Sequence, residues 1–332
     1  MAKFNEYPVK TKPADTDTFL TYDTSGKSNK QVTMQSIAET ILSRMSHNIP
    51  RLVPKDITSY YNDGSLWKRL NGTGGYSLFE DIYVGDYIKM SRAISAPNPD
   101  STLQLTGSQY VTIAGIDSLW GNGDNISMDY HHLVMVPGQG FGGTQHFGRS
   151  RMNPTNTTVG GYKGSEMNTK VIGNVATAGS TSAGATINQQ LFAEFGSRLK
   201  TTRELVSKAI NASGYNRFGT SGGCSNDWEW ISAQAILLSE VELYGSIVWS
   251  SSAYDTGNAN HQLELFRHSK QAVNNRSAWF WLKDVASASN FCYCVNDGVE
   301  CQRLCASTLR NRSVAESGIC TPCGCGWKKG EK

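Results

Sequence analysis

The residues with the clearest potential for chemistry are cysteines near the end of the chain. Of the eight cysteines, seven lie between Cys292 and Cys325. Their spacing is Cys-x-Cys from 292, Cys-x3-Cys from 301 and Cys-x2-Cys-x-Cys from 320. Four thiolates can hold a tetrahedral zinc ion, but this is not a clean pair of Cys-x-x-Cys motifs. Structural zinc, one or more disulfides and free thiols are therefore all open interpretations.

The other candidates for chemistry have structural interpretations. His131 and His132 are adjacent at the start of a predicted strand, where neighbouring side chains point to opposite faces. The two therefore cannot easily bind one metal ion, and we expect one of them to be buried and hydrogen-bonded. The Gly-rich stretch 138–143 lacks the strand–helix context of a phosphate cradle and predicts a loop that is either flexible or tightly turning. A His-Glu-x-x-His motif is absent. We expect no enzyme, no cofactor and no metal ligand.

Composition and charge argue against a nucleic-acid-binding protein and against a membrane-spanning one. The 332 residues suggest about two units. The charged fraction of 18% lies below the usual ~25%, which implies a surface of uncharged polar residues. A net charge of +3 is too small to indicate nucleic-acid binding. The sequence shows neither a run of about 18 apolar residues nor an N-terminal secretory pattern, so we expect synthesis in a cytosol without membrane insertion.

The first part of the chain predicts a strand, a helix and a linker. The strand covers Phe19 to Tyr22. Thr33 can cap a helix over 34–46, where apolar residues recur with a 3.6-residue period. This helix either packs locally or associates with copies of itself or with a neighbouring protein. Residues 48–60, interrupted by two prolines, predict the linker.

The rest of the chain predicts an α+β fold of short, mostly antiparallel strands with two or three helices. The strand segments are 82–84, 87–90, 110–114, 132–136, 228–238, 278–282 and 291–295. Helices are predicted over 188–199, after a capping box at Thr201 and Glu204, and after a second box at Ser239 and Glu242. Residues 137–187 read as a long loop.

Residues 296–317 show no helical or strand periodicity. They mix Arg, Glu, Cys, Leu and Ser at neighbouring positions, between an aromatic strand and a closing Gly-Ile-x-x-Pro. A patternless surface on a rigid scaffold is typical of a binding face, and the alternative is an ordinary solvated loop.

A series of ordered motifs runs through residues 78–327. They are FxDIxVGDY at 79–87, IAGID at 113–117, HHLVMVP at 131–137, MN at 152–153, GGYxGSEM at 160–167, LSEVELYG at 238–245, FWLKD at 280–284, FCY at 291–293, DG at 297–298 and GIxxP at 318–322. Together they resemble an uncharacterised domain family of gut phages and Firmicutes. That family resembles C-type lectin-like folds of the formylglycine-generating-enzyme type.

The C-terminal part of this family is also similar to the variable region of diversity-generating retroelement target proteins. There, randomised adenines convert Asn codons to codons for Cys, Ser, Arg, Gly, Tyr or Asp. The resemblance implies a variable region at about 279–327 that binds a ligand. The implied contact residues are Tyr293, Cys294, Asn296, Asp297, Glu300, Gln302, Arg303, Leu304, Ser307, Leu309, Arg310, Asn311 and Arg312.

The same resemblance offers an origin for the cysteines. Cys294, Cys301, Cys305 and Cys320 read as present-day products of randomised Asn codons, whereas Cys292 fits the family pattern and is expected to be packed. The chain departs from the family at Lys283, where Arg is usual, and at 320–321, where Arg commonly precedes the closing Pro.

The N-terminus separately resembles those of phage tail proteins. The matching residues are PADTDTFLxYD at 13–23 and KQVT at 30–33. The resemblance implies an attachment or oligomerisation segment over 1–55 and a lectin-like domain over 56–332. The expected protein is a virion tail component, assembled in the host cytoplasm as a homotrimer. Its partners are other tail proteins and a protein or glycan receptor on the host surface. The alternatives are a zinc-stabilised interaction module, a purely structural tail or baseplate component, and an enzyme.

Overall fold

The structure is a computed structural model with two compact units, Met1–His47 and Asn48–Lys332. It describes residues 14, 17–23, 27–34, 37, 49–51, 53–97, 106–124, 128–148, 150–207, 228–246, 262–269, 280–286, 290–294 and 301–305. None of the helices in these ranges has the length and apolar character needed to cross a membrane.

The first unit contains an antiparallel hairpin. Strand β1 (Thr18–Asp23) pairs with β2 (Ser28–Thr33) from Thr18 opposite Thr33 to Asp23 opposite Ser28. The predicted strand is therefore confirmed. Met34 and Ile37 are helical, and the other residues of the predicted helix over 34–46 lie outside the described residues.

The second unit is a mixed α+β structure with short antiparallel strands. Its helices are α1 (Thr58–Asn62), α2 (Ser65–Leu70), α3 (Gly161–Gly164), α4 (Ile187–Phe195), α5 (Glu240–Tyr244) and α6 (Glu264–His268). Its strands are β3 (Tyr87–Lys89), β4 (Tyr110–Ile116), β5 (Leu133–Pro137), β6 (Thr202–Ser207), β7 (Trp228–Ala233), β8 (Phe280–Val285), β9 (Asn290–Cys294) and β10 (Cys301–Cys305). They form the sheets β3-β4-β5, β6-β7 and β10-β9-β8.

Strand β4 is the centre of its sheet and is buried along nearly its whole length. Val111 to Ile116 are all buried, so both faces of the strand are covered. A register shift between Ile113 and Gly115 bends it against β5. A Cβ at Gly115 would overlap the Ser118 hydroxyl and the Glu264 carboxylate, so only glycine fits this close approach.

The predicted linker and the predicted strand at 82–84 are both wrong, and Asp86 explains why. Its fully buried carboxylate accepts hydrogen bonds from the backbone N–H groups of Tyr83 (3.0 Å) and Lys55 (3.1 Å) and from Arg51 Nε (3.0 Å). The first of these bonds curls 82–86 into a turn, and the other two bind the expected linker to the second unit. Burial raises the pKa of Asp86, although Arg51 opposes this effect.

The helix expected after Thr201 is also wrong, because residues 202–207 form β6. The strand pairs with β7 from Thr202 opposite Ala233 to Ser207 opposite Trp228. Glu204, which the sequence places in a capping box, instead accepts a hydrogen bond from Nζ of Lys283 on β8. Long-range pairing therefore overrides the local helix signal.

The expected loop at 137–187 contains two short helical segments. They are α3 and a π-helical turn at Met167–Gly173. Tyr162 on α3 is fully buried, and Val171 and Ile172 on the π-helical turn are buried with it. Burial of three large apolar side chains, rather than a strong local pattern, holds these segments.

Two helices occur where the sequence predicts them. Helix α4 begins with a capping box of Thr186 and Gln189. The Thr186 hydroxyl accepts the backbone N–H of Gln189, and the Gln189 side-chain oxygen accepts the backbone N–H of Thr186. Helix α5 begins with the predicted box of Ser239 and Glu242 and ends at Gly245, which adopts the left-handed conformation (φ 75°).

Gly173 ends the π-helical turn, and its substitution tests how closely this turn packs against the cap of α4. It has φ +87°, and a Cβ there would lie 2.5 Å from Cβ of Thr186, the cap of α4. Gly184 has the same φ of +87° but nothing within 4 Å of its Cβ position. We expect Gly184→Ala to cost about 1–2 kcal/mol for the left-handed backbone. Gly173→Ala should cost roughly 1–3 kcal/mol more from the clash.

Chemical denaturation of the two variants measures this difference. Equal destabilisation would contradict the close packing of Gly173 against the cap of α4.

Candidate functional site

The candidate binding residues that the structure describes belong to the sheet β10-β9-β8, in which β9 is central and, among the described strands, β10 is an edge. Tyr293 on β9 lies between Trp281 on β8 and Gln302 on β10. Cys294 likewise lies between Phe280 and Cys301. The predicted strands at 278–282 and 291–295 are therefore confirmed. The region after them, read as irregular, contains the additional strand β10.

The structure brings together five of the thirteen predicted contact residues. They are Tyr293, Cys294, Gln302, Arg303 and Leu304. The other eight lie outside the described residues: Asn296, Asp297, Glu300, Ser307, Leu309, Arg310, Asn311 and Arg312.

The register divides the five residues between two faces of the sheet. Phe291, fully buried, pairs with Leu304. Because residues two apart on a strand and residues directly opposite share a face, Tyr293, Gln302 and Leu304 share the face of Phe291. Cys294 and Arg303 fall on the other face. Of the five, these two are therefore placed away from the buried phenylalanine.

The register also constrains the cysteines. Cys292, Cys294, Cys301 and Cys305 all fall on the face of Arg303. Cys301 and Cys305 are four residues apart on one strand, roughly 13 Å along it. Thiolates on one tetrahedral zinc ion lie within about 4 Å of each other, so these four cannot share an ion. Within the described ranges no group of three or more His, Cys, Asp or Glu residues could hold a metal ion.

The backbone geometry allows a disulfide bond between one pair of these cysteines. Cys294 and Cys301 are direct partners in the antiparallel register. Directly opposite Cα atoms lie about 4.5–5.5 Å apart, which is within the range that disulfides span.

Strand β8 fixes the position of this sheet. Its residues from Trp281 to Val285 are all buried. The indole Nε1 of Trp281 donates to the carbonyl oxygen of Ser150 at 3.1 Å. The backbone N–H of Lys283 donates to the carbonyl oxygen of Leu238 at 2.9 Å. Aromatic packing and hydrogen bonds therefore fix β8 on both sides of its centre.

Lys283 is the electrostatic centre of this region. Its fully buried Nζ lies 3.2 Å from Oε2 of Glu204 on β6 and 3.2 Å from Oε2 of Glu242 on α5. Burial alone would lower the pKa of Lys283, but the two carboxylates raise it above its ordinary value. The lysine is therefore a cation shared by two acids, and it joins three separate elements.

The two acids differ in their other contacts. Glu242 Oε2 also accepts the backbone N–H of Ser239 at 2.6 Å, as part of the capping box of α5. Glu204 Oε1 accepts the Thr202 hydroxyl at 2.9 Å. Burial raises the pKa of Glu204, and the second carboxylate raises it further, against the effect of Lys283. Because one cation serves two acids, Glu204 takes up a proton more readily than an exposed glutamate.

Asp284 adds a second buried link between β8 and α5. Its Oδ2 accepts the backbone N–H of Glu240, in the first turn of the helix, at 2.6 Å. Burial, together with the nearby Glu240, raises the pKa of Asp284 to about 7. Two neighbouring residues of one strand thus bind the same short helix.

Sequence reasoning missed this charge cluster. Glu204 and Glu242 were read as helix-cap residues, and Lys283 only as a departure from a family pattern. The available signal was the pair Lys283-Asp284 inside the apolar strand FWLKDV. Two charges in a strand that is otherwise apolar require buried partners.

The histidine pair behaves as predicted. His132 is buried, its Nε2 accepts the backbone N–H of Leu119 at 3.0 Å, and burial lowers its pKa. Half-buried His131 is 2.8 Å from Asp117 through Nδ1. Asp117 also accepts the backbone N–H of His132, so this cluster fixes a turn between β4 and β5.

The Gly-rich stretch forms a tight turn, which is one of the two predicted alternatives. Its backbone is bound to Thr112 of β4, whose hydroxyl donates to the carbonyl oxygen of Gly138 and accepts from the N–H of Gly140.

The charge cluster predicts the effect of removing Lys283. Lys283→Met leaves two carboxylates buried without their cation, which should cost about 3–5 kcal/mol of unfolding free energy at pH 7–8. Without the lysine, the pKa of Glu204, which burial already raises, rises further above its value in the unfolded chain. Protonation therefore favours the native state, so the deficit should shrink as the pH falls towards the unfolded pKa of about 4.3 and grow as the pH rises.

The matched control is Lys170→Met. The Lys170 side chain is 69% exposed, and its partner Glu166 keeps a second ion pair with Arg151 at 2.9 Å. This control should change stability by no more than about 0.5 kcal/mol. Equal effects of the two changes in urea titrations, or a deficit independent of pH, would rule out the shared-cation description.

No protein-family model, curated protein or solved structure matches the chain. Its function is therefore inferred from its own residues.

Proposed function

We propose that the chain is a receptor-binding protein of a phage tail, with a C-type lectin-like second unit that binds a host surface ligand through its C-terminal region. The observation that carries this proposal is the position of Arg303. It lies on the edge strand β10, opposite the face of buried Phe291, and it is joined through β9 to the fully buried β8.

The arrangement suits a surface whose residues change. Stability comes from β8, through Trp281, Lys283 and Asp284, and none of these residues lies on β10. On this proposal, substitutions on β10 at positions that share the face of Arg303 leave the frame intact, because surface changes usually shift stability by no more than about 0.5 kcal/mol. Randomised codons can then alter ligand contacts without loss of the fold.

The first unit suits attachment to a larger assembly. In its hairpin, Phe19 is 41% exposed, and Ser28 to Gln31 of β2 are exposed. An exposed aromatic side chain on a strand is a common feature of contact surfaces between proteins. Assembly as a trimer would present several copies of the binding region, so weak single sites would gain avidity.

The proposal assigns no catalytic residue and no cofactor. The buried acids Glu204 on β6 and Glu242 on α5 are both paired with Lys283, and the His131–Asp117 pair fixes a turn. The competing proposal of a purely structural tail component predicts no ligand at all, so a binding measurement separates the two.

Substitution of Arg303 tests the binding surface. We expect Arg303→Ala to reduce binding of purified protein to host cells at least about tenfold, since Arg side chains are frequent interface hot spots. Its melting temperature should match that of the parent. Arg267→Ala, at an exposed arginine on α6, is the matched control and should bind normally.

Trp281→Ala should, unlike Arg303→Ala, lower the stability of the protein. Loss of this buried indole should cost roughly 3–5 kcal/mol of stability. If neither the parent nor C-terminal variants bind host cells or a glycan array, the structural alternative replaces the receptor-binding proposal. If Arg303→Ala destabilises the fold as much as Trp281→Ala does, the assignment of face and frame is wrong.

Diversification has a separate genomic test. We expect a reverse-transcriptase gene near this gene, with a near-repeat of the codons for about residues 279–327 that differs at adenines. A repeat that differs equally at all bases, or none nearby, would refute diversification while leaving receptor binding to the cell assay.

A further inference from the structure

The second unit contains a cavity of about 730 Å³. Its lining includes Leu133 on β5, Phe147, Leu191 and Phe195 on α4, Ile236 and Trp281 on β8. Cavities of about 300–1,000 Å³ with mainly apolar linings and a few polar groups are typical of small-molecule sites. The volume and the apolar lining together suit an extended apolar molecule.

Two cationic side chains line this cavity. Arg198 and Lys200 are exposed, flank Leu199, and all three residues line the cavity. The Arg198 guanidinium lies 4.8 Å from the ring centre of Trp67, and Lys200 Nζ lies 5.7 Å from that of Tyr130. Both rings also line the cavity, so each cation sits over an aromatic part of its wall.

The charges of these cations are not neutralised locally. In the part of the chain that the structure describes, no carboxylate lies within ion-pair distance of Arg198 or Lys200. Two other charged residues of the lining, Glu204 and Glu242, share Lys283. The cavity therefore combines an apolar body with a positive side at Arg198 and Lys200.

We propose that this cavity binds a single anionic amphiphile. Its hydrocarbon body lies against the apolar lining, and its carboxylate or other anionic head is held by Arg198 and Lys200. A neutral lipid would leave both cations unused, and a cationic amphiphile would be repelled by them. This site goes beyond the proposed receptor role, because none of its described lining residues belongs to β9 or β10.

The test uses the full chain with dodecanoate, dodecan-1-ol and dodecyltrimethylammonium as probes, all as monomers. We expect saturable binding of one dodecanoate by calorimetry, at least about tenfold tighter than dodecan-1-ol, since a hydrogen bond to a charged group contributes about 1.5–3 kcal/mol. Dodecanoate should also raise the melting temperature, because a ligand of the native state stabilises it.

Two sets of variants locate the ligand. The double change Arg198→Gln and Lys200→Gln should weaken dodecanoate binding about tenfold or more and leave dodecan-1-ol within about twofold. Ile236→Trp, which narrows the cavity, should weaken both ligands. The matched control, Arg267→Gln with Lys68→Gln, replaces an exposed arginine and an exposed lysine outside the lining and should bind as the parent does.

Three results would overturn the proposal. They are the absence of saturable dodecanoate binding, equal affinity of the parent for dodecanoate and dodecan-1-ol, and unchanged dodecanoate affinity in the folded Arg198→Gln, Lys200→Gln variant. Binding to anionic phospholipid vesicles that persists in Ile236→Trp would instead indicate a membrane surface as the ligand and would equally refute the cavity proposal.

Discussion

A single buried cation shared by two carboxylates constrains the second unit. Lys283 on β8 contacts Glu204 on β6 and Glu242 on α5, and all three side chains are almost completely buried. Taking such charges from water is costly, and their mutual attraction offsets the cost only when every partner is in place. The cluster therefore demands one arrangement of three elements that are distant in sequence, and it penalises any slip of β8 by one residue, which would bury Lys283 without its acids.

The position of the proposed binding region on β9 and β10 follows from this constraint. Strand β8 is fixed by Lys283, by Asp284 at the start of α5 and by the Trp281 hydrogen bond, and β9 pairs with it. Strand β10 then pairs with β9 and occupies the edge. The charge cluster of Lys283, Glu204 and Glu242 includes no residue of β10, and in the proposed function β10 serves ligand contact.

Local signals in the sequence predicted the elements that depend on local interactions. The capping box at Ser239 and the apolar segments of β8 and β9 are examples, since their patterns lie within a few residues. The strand at 202–207 could not be predicted in this way, because Glu204 matches a capping box and only Lys283, 79 residues away, reveals its role. The turn at 82–86 likewise depends on one buried carboxylate, and the π-helical turn on the burial of Val171 and Ile172.

The division of the candidate site residues into two faces could not be predicted from the sequence. Sequence alone treats Arg303 and Leu304 as equivalent neighbours in a patternless segment. The register separates them, because Leu304 pairs with buried Phe291 whereas Arg303 shares the face of Cys294. On the proposed function, changes at Leu304 are limited by the buried Phe291 opposite it, and changes at Arg303 by the ligand. If this region is diversified, tolerance on β10 must alternate along the strand, with charged residues accumulating at the positions that share the face of Arg303.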